Sequence, residues 1–368
     1  RHFIGKAAYS EYQSLCKHVC LGNQWAKSKW LFTKSGAVAG GKVLFLYAKG
    51  FEGSLRSKIQ TLLAKIKMKD YAAYLQDKEF AIFLFHGVIT KNRNRIRNYT
   101  RKHLEEEEFE EVILNLRAKG NPVSMDEVAS AHQESRCLPP NSYAITFDDG
   151  FANNFHTAAP ILRTHETPAM FYLTSGFVEK NESSWTDLIE YAVESVDEVR
   201  FKHDCFQTTS PVKSFAEKIA FLDKIREKVK NNANLDPYEF AHELWKQNGV
   251  NRFNPDSELD QKMTQHEVAE LAADPLFMVG GHSRTHRVMS FLSSAELKAE
   301  VSTSIQSLKS WTGQEIVHYS YPEGLAHCYS DEVISCLQKY GITCCPTAIE
   351  GTNDVKTNLF NLKRITVV

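Results

Sequence analysis

The chain has 368 residues, with 44 Lys and Arg against 45 Asp and Glu and a formal net charge of −1. That balance leaves no basic footprint for general nucleic-acid binding, and no run of about 18 apolar residues is available to span a membrane. Eight cysteines without a Cys-x-x-Cys pair are too sparse in a chain of this size for a disulfide framework. Reduced thiols and a cytoplasmic setting are expected, with peripheral membrane association and export left open.

Residues 1–75 form a leading region of unassigned role. It contains a short strand, Val43–Tyr47, and a helix over Ser54–Lys69 with Leu55, Ile59, Leu62, Leu63 and Ile66 on one face. From Phe80 a second unit begins, 76–368, whose first strand Ala81–Phe85 delivers His86 at its end. A histidine in that place is ordinarily a packed core residue. The run Lys91–Lys102 holds six basic residues in twelve and reads either as an anion-attracting mouth or as a solvated loop balanced by Glu105–Glu108. Its departure from the strand that carries His86 favours the mouth. Glu105–Lys119 has Phe109, Val112, Ile113 and Leu116 at helical spacing, acids in its first turn and Gly120 behind it. Ser124 and Glu127 have the spacing of a capping box for a further helix.

The most informative stretch is Thr146-Phe147-Asp148-Asp149-Gly150, where the apolar strand Tyr143–Phe147 ends in two adjacent carboxylates. Neighbouring side chains on a strand point to opposite faces, so both acids serve one site only if the chain turns, which Gly150 permits. Alone, an Asp-Gly turn after a strand is ordinary. A helix over Asn153–Arg163 and a strand from Ala169 to Thr174, with Gly176 behind it, follow. Residues 181–265, including a helix over Phe215–Val229, read as a mostly helical insertion. The strand Leu276–Val279 then leads into Gly280-Gly281-His282-Ser283-Arg284-Thr285-His286. If a helix starts after Gly281, His282 and His286 stack one turn apart and both rings reach one metal ion. Two imidazoles and one carboxylate suit zinc and leave coordination positions open, the mark of a catalytic site. Tyr319–Gly324 is an apolar strand stopped by Pro322 and Gly324, a loop suited to cover a site. Cys344 and Cys345 read as packed.

Together these pieces resemble the polysaccharide deacetylases of carbohydrate esterase family 4, with the NodB-like fold. Thr146–Gly150 matches that family's T-F-D-D-G motif, which implies Asp148 as general base and Asp149 as metal ligand. His282–His286 matches H-S/T-x-x-H, which implies both histidines as the remaining ligands. The family's carboxyl-terminal Leu-x-His is absent after Tyr321, whereas Leu84-Phe85-His86 precedes Asp148. This order resembles the circularly permuted branch, which includes poly-N-acetylglucosamine deacetylases, and implies His86 as general acid. The family's Arg-x-Pro-x-Gly motif has Ser320 in place of its arginine, and Arg364 is the candidate substitute. The implied fold is α/β, an irregular (β/α)7-type barrel carrying the leading region and the insertion.

The chemistry follows from the residues as well. A divalent metal, zinc by donor type, held by Asp149, His282 and His286 would lower the pKa of water from about 15.7 towards ~7. Asp148 would take the water's proton, and His86 would protonate the leaving amine. The backbone N–H of Glu323 would help hold the oxyanion, with Tyr321 beside it as a substrate-binding residue. The expected activity is metal-dependent removal of an N-acetyl group from an amino sugar of an envelope glycan or its precursor, with no nucleic-acid partner. Deformylation or another C–N amide hydrolysis on the same fold is an alternative. A non-catalytic glycan-binding protein is another, suggested by Ser320. Oligomeric state is not legible.

Overall fold

The computed structural model describes residues 69–91 and 95–368. The strand Val43–Tyr47 and nearly all of the helix expected over Ser54–Lys69 lie outside the described residues. Five strands, β1 (Ala81–Phe85), β2 (Ser142–Phe147), β3 (Ala169–Leu173), β4 (Phe277–Gly281) and β5 (Ile365–Thr366), pair in parallel in the order β5-β1-β2-β3-β4. All five residues of β1, all six of β2 and all five of β3 are buried. That is what a parallel sheet covered on both faces requires of its strands, and it explains their unbroken apolar runs.

Two extended segments close the ring between β4 and β5. Gly281 N donates to His318 O at 3.0 Å and Ser320 N to Gly281 O at 2.8 Å, which attaches 317–320 to β4. Tyr319 N donates to Cys344 O at 2.9 Å and Thr347 N to Leu362 O at 2.8 Å, which leads through 343–349 back to the β5 segment. Val367 N reaches Leu84 O at 3.0 Å on β1. The result is an irregular barrel of seven parallel staves, α/β in class.

Helices wrap the staves: α1 (Glu106–Lys119), α2 (Met125–Gln133), α3 (Ala159–Thr164), α4 (Ser175–Lys180), α5 (Trp185–Ser195), α6 (Phe215–Lys230), α7 (Pro237–Gln247), α8 (Gln265–Ala273), α9 (Ser294–Thr312) and α10 (Asp331–Lys339). Phe109 from α1 packs edge-on against Phe85, which stacks on Phe147 and through it on Phe171. This aromatic ladder lies on the outer face of β1–β3. Helix starts follow local chemistry: Ser124/Glu127, Ser214/Glu217, Thr264/Glu267 and Ser293/Glu296 all form reciprocal capping boxes. The segment Asn153–Arg163 opens with one π turn, Asn154–Ala158, before α3.

Between α4 and α8 the chain leaves the barrel to build α5, a two-stranded hairpin, α6 and α7. These share a core of their own that includes Trp185, Ile189, Phe221, Ile225, Phe240 and Leu244. Among the described residues no helix is long and apolar enough to cross a membrane, and all six described cysteines are unpaired, with Cys344 and Cys345 buried.

Candidate active site

The strand alternation of β1, β2 and β4 aims one residue beyond each strand at the barrel axis: His86, Asp148 and His282. On β4, Gly280 shares that inward parity. A Cβ there would lie 2.7 Å from the Tyr172 ring, so only glycine lets β4 carry His282 this close to β3. Asp149 would face outward if the strand continued. Instead Asp149 and Gly150 adopt left-handed conformations, φ 78° and 88°, and the turn brings the second carboxylate inward beside the first. A non-glycine residue in this region costs on the order of 1–2 kcal/mol. Ser283, His286 and Glu323 are left-handed as well, with φ 64°, 57° and 61°, so several of the chain's strained positions gather at one rim.

The helix expected after Gly281 does not form. Residues 282–288 are a loop, because Gly280 and Gly281 belong to β4 and Ser283 turns the chain at once. His286 N donates to Ser283 Oγ at 2.9 Å, and the N–H groups of Arg284 and Thr285 both bind Glu300 of α9. The two imidazoles still meet, with ring centroids 4.9 Å apart.

Donor atoms of Asp149, His282 and His286 all lie within 4.8 Å of one another. His282 gives Nδ1–H to Ser320 O at 2.9 Å, which fixes its tautomer and turns the Nε2 lone pair to Asp149 Oδ1, 3.6 Å away. His286 Nε2 is 3.2 Å from the same oxygen but out of line for a hydrogen bond, so Asp149 Oδ1 is buried without a hydrogen-bond partner. Separations of 3.2 and 3.6 Å bracket the ~3.4 Å donor spacing of a tetrahedral ion with ligands at ~2.1 Å. One carboxylate and two imidazoles so arranged fit a divalent ion such as zinc. Burial raises the Asp149 pKa, but the His286 charge outweighs it and holds the carboxyl well below its usual range. Burial drives His282 down to about 4, so it is a neutral donor at pH 7.

Asp148 is held differently. Arg364, fully buried, gives Nη1 to Oδ1 and Nη2 to Oδ2, each at 2.8 Å. Its Nη2 also donates to Ser320 Oγ at 2.8 Å and its Nε to Thr347 O at 2.6 Å. Burial alone would raise Asp148, yet the Arg364 charge keeps it below the ordinary carboxylate range. The arginine missing at position 320 is thus replaced in space from the last stave, with Ser320 as its seat. His86 lies close enough to Asp149 and Asp148 for both charges to raise its pKa. Burial lowers its pKa further than these two charges raise it.

The Tyr321 ring is fully buried, stacks on Tyr329 at 4.5 Å and donates its hydroxyl to Phe360 O at 3.1 Å. The side chain is therefore a core element and not the substrate-binding group expected from the sequence. Glu323 lies beside His286 with its carboxylate paired to Lys230.

Three basic residues of the run are paired within the fold and are not left to attract an anion, while Arg93 lies outside the described residues. Arg97 pairs with Asp260, Arg101 with Glu108 and Lys102 with Asp187. Asp187 and Asp260 come from the insertion, so no local pattern announces them. Asn153 and Asn154 escaped the sequence reading too: Asn154 Nδ2 donates to His86 O at 2.7 Å and Asn153 Oδ1 accepts from Val88 N at 3.2 Å. Their signal is two adjacent amides shortly after the Asp-Asp-Gly turn, beyond Phe151 and Ala152, placed to fix the backbone that carries His86.

The solved structure of Streptococcus pyogenes deacetylase PplD in complex with acetate is similar in fold, with a TM-score of 0.51 at 13% identity over 79% of this chain and 93% of that one. IcaB from Ammonifex degensii is similar at a TM-score of 0.52 and 16% identity, over 80% of this chain and 94% of that one. No curated protein matches the chain in sequence. The polysaccharide deacetylase family pattern matches residues 135–218 and 240–345. It takes in Asp148, Asp149, His282, His286 and the Pro322 loop, and leaves outside both His86 after β1 and Arg364 before β5. With more than half of its residues under that pattern, the chain belongs to the polysaccharide deacetylase family.

Proposed function

We propose that this chain is a metal-dependent hydrolase that removes the N-acetyl group from an amino sugar of a polysaccharide or its precursor. The observation that carries this reading is the meeting at one barrel rim of a three-donor cluster, a carboxylate locked by arginine and a partly buried histidine. Asp149, His282 and His286 would hold the divalent ion, zinc by donor type, and that ion supplies water activation and carbonyl polarisation.

The remaining steps belong to the chain. Asp148, kept ionised and oriented by Arg364, takes a proton from the attacking water as the C–O bond forms. The Glu323 peptide N–H donates to the oxygen that gains charge. The C–N bond breaks as His86 passes a proton to the amine, releasing acetate and a free amino sugar. Burial lowers His86, so at pH 7 the imidazole must first take a proton from solvent, and the protonated fraction of the free enzyme is the one that turns over. The guanidinium that Arg364 gives to Asp148 supports hydrolysis over the purely glycan-binding reading that Ser320 keeps open in the sequence.

Mass spectrometry of N-acetylated hexosamine oligosaccharides, before and after incubation with metal-loaded protein, tests the reading. Loss of acetyl with appearance of free amine is expected. Hydrolysis of N-formyl but not N-acetyl sugars would replace it with a deformylase.

A further inference from the structure

The family pattern skips residues 219–239, which hold most of α6 and the turn into α7. This same segment supplies one wall of the cavity beside the donor cluster. Val229, Lys230, Leu235 and Pro237 line it together with His286 and Glu323.

Lys230, the last residue of α6, touches the Pro322 loop twice. Its ammonium forms an ion pair with the Glu323 carboxylate, and its carbonyl accepts from His327 Nε2 at 3.0 Å. The loop needs such support. Glu323 and Gly324 are consecutive left-handed residues, φ 61° and 59°, and a non-glycine residue is strained there. On the barrel side the loop is clamped by Ala348 N, which donates to Gly324 O at 2.8 Å, with no space for a Cβ on Gly324. Lys230 provides the opposing clamp. Both ends of the pair are largely removed from water, with side-chain exposures of 25% and 10%, so screening weakens it less than a surface pair.

We propose that Lys230 is a positioning residue, which fixes the Glu323 peptide as an oxyanion donor and makes the insertion part of the catalytic apparatus. The inference rests on the deacetylase reading above. An oxyanion donor acts chiefly on charge that develops in the transition state, so its displacement lowers kcat and leaves ground-state binding alone.

The test compares metal-loaded wild type with Lys230→Met, Lys230→Arg, Glu323→Gln and the double variant Lys230→Met/Glu323→Gln on an N-acetylated hexosamine oligosaccharide. Lys230→Met is expected to lower kcat about tenfold or more, short of the ~10²–10³ lost when an oxyanion donor is removed outright, with KM and metal content unchanged. Lys230→Arg should restore most of the rate. The double variant should be no slower than the slower single one, because the two act as a unit. Amide hydrogen exchange across 320–325 should be faster in Lys230→Met than in wild type, a readout that needs no turnover. An unchanged kcat in Lys230→Met, additive losses in the double variant, or unaltered exchange in the loop overturns the inference while leaving the deacetylase reading standing. If wild type hydrolyses no N-acetyl sugar, that reading falls and takes the positioning role with it.

Discussion

Arg364 and Asp148 meet through two parallel hydrogen bonds, both 2.8 Å, although they are far apart in sequence and the arginine is fully buried. The geometry matches a planar guanidinium to both carboxylate oxygens at once, which a lysine cannot reproduce. Removal of the arginine leaves Asp148 buried and uncompensated, at a cost of about 3–5 kcal/mol by analogy with other broken buried pairs. Arg364→Leu should therefore lower both stability in urea and kcat. Because Ser320 Oγ already touches the guanidinium, the exchange Arg364→Ser with Ser320→Arg should recover part of the rate. If Arg364→Leu turns over normally, the charge on Asp148 is not what the pair is for.

Asp148→Asn keeps the shape of the side chain and its bond from Arg364 Nη but cannot take a proton. Turnover should fall by about 10²–10⁴ while metal content stays at the wild-type level. Elemental analysis beside the rate checks this. Metal lost in proportion to rate would make Asp148 a ligand and reverse the division of roles with Asp149.

Chelation should abolish turnover, and added zinc should restore it. An ion that binds the folded state alone also stabilises it, by about 4 kcal/mol at a thousandfold excess over its dissociation constant. Asp149→Ala should remove both the activity and the stabilisation. A melting temperature indifferent to chelator and zinc would argue against an ion at Asp149, His282 and His286.

The strand ends were legible in the sequence because each functional residue follows an unbroken apolar run, and a buried parallel strand has no other pattern to show. The Ser124/Glu127 capping box was legible because both partners lie within four residues. What escaped depends on distance. The carboxylates that neutralise Arg97 and Lys102 sit in the insertion, at Asp260 and Asp187, and local charge counting cannot find them. Arg364 stood out only as a place for a missing guanidinium, since a basic residue near a terminal strand is usually solvated. The helix expected between His282 and His286 failed for a local reason. Spacing of four suggests one helical turn, but Ser283 and His286 both take positive φ, and the loop reaches the same proximity without helical bonds.

Lys262 gives a pH-dependent prediction. Its ammonium is buried, donates to Asp260 O at 2.9 Å and lies 3.9 Å from the centre of the Phe151 ring. Burial, the largest influence, lowers its pKa from the ordinary 10.5 to about 8. The unfolded chain then binds more protons than the folded one between pH 8 and 10.5, so stability rises with pH across that window. Below pH 8 both states are protonated and the folded state bears the whole cost, ~3 kcal/mol. Lys262→Met should stabilise the protein at pH 7 by up to that amount, less what Asp260 O loses as a partner, and the advantage should vanish towards pH 10.5. Urea titrations at pH 7, 9 and 10.5 decide it. A Met variant less stable than wild type at pH 7 would mean that the lysine is bound more strongly than its burial is costly.

His86 carries the claim that depends on the order of the motifs and not only on their presence. It stands one residue beyond β1, outside the stretch that the family pattern matches, yet within the reach of the charges on both Asp148 and Asp149. His86→Ala should leave metal content and folding near wild type and slow the hydrolysis of an unactivated N-acetyl sugar by about 10²–10⁴. An N-acetyl aryl amine, whose departure needs less help from a proton, should lose far less. The pH profile adds a sign. Because burial holds His86 below its ordinary value, a limb of kcat/KM that needs the imidazolium in the free enzyme falls as pH rises through a pKa below about 6.5, and that limb should be absent in His86→Ala. Wild-type rates in His86→Ala on the unactivated sugar would end the case for His86 as proton donor and leave the amine to be protonated by Asp148, with the proton it took from water.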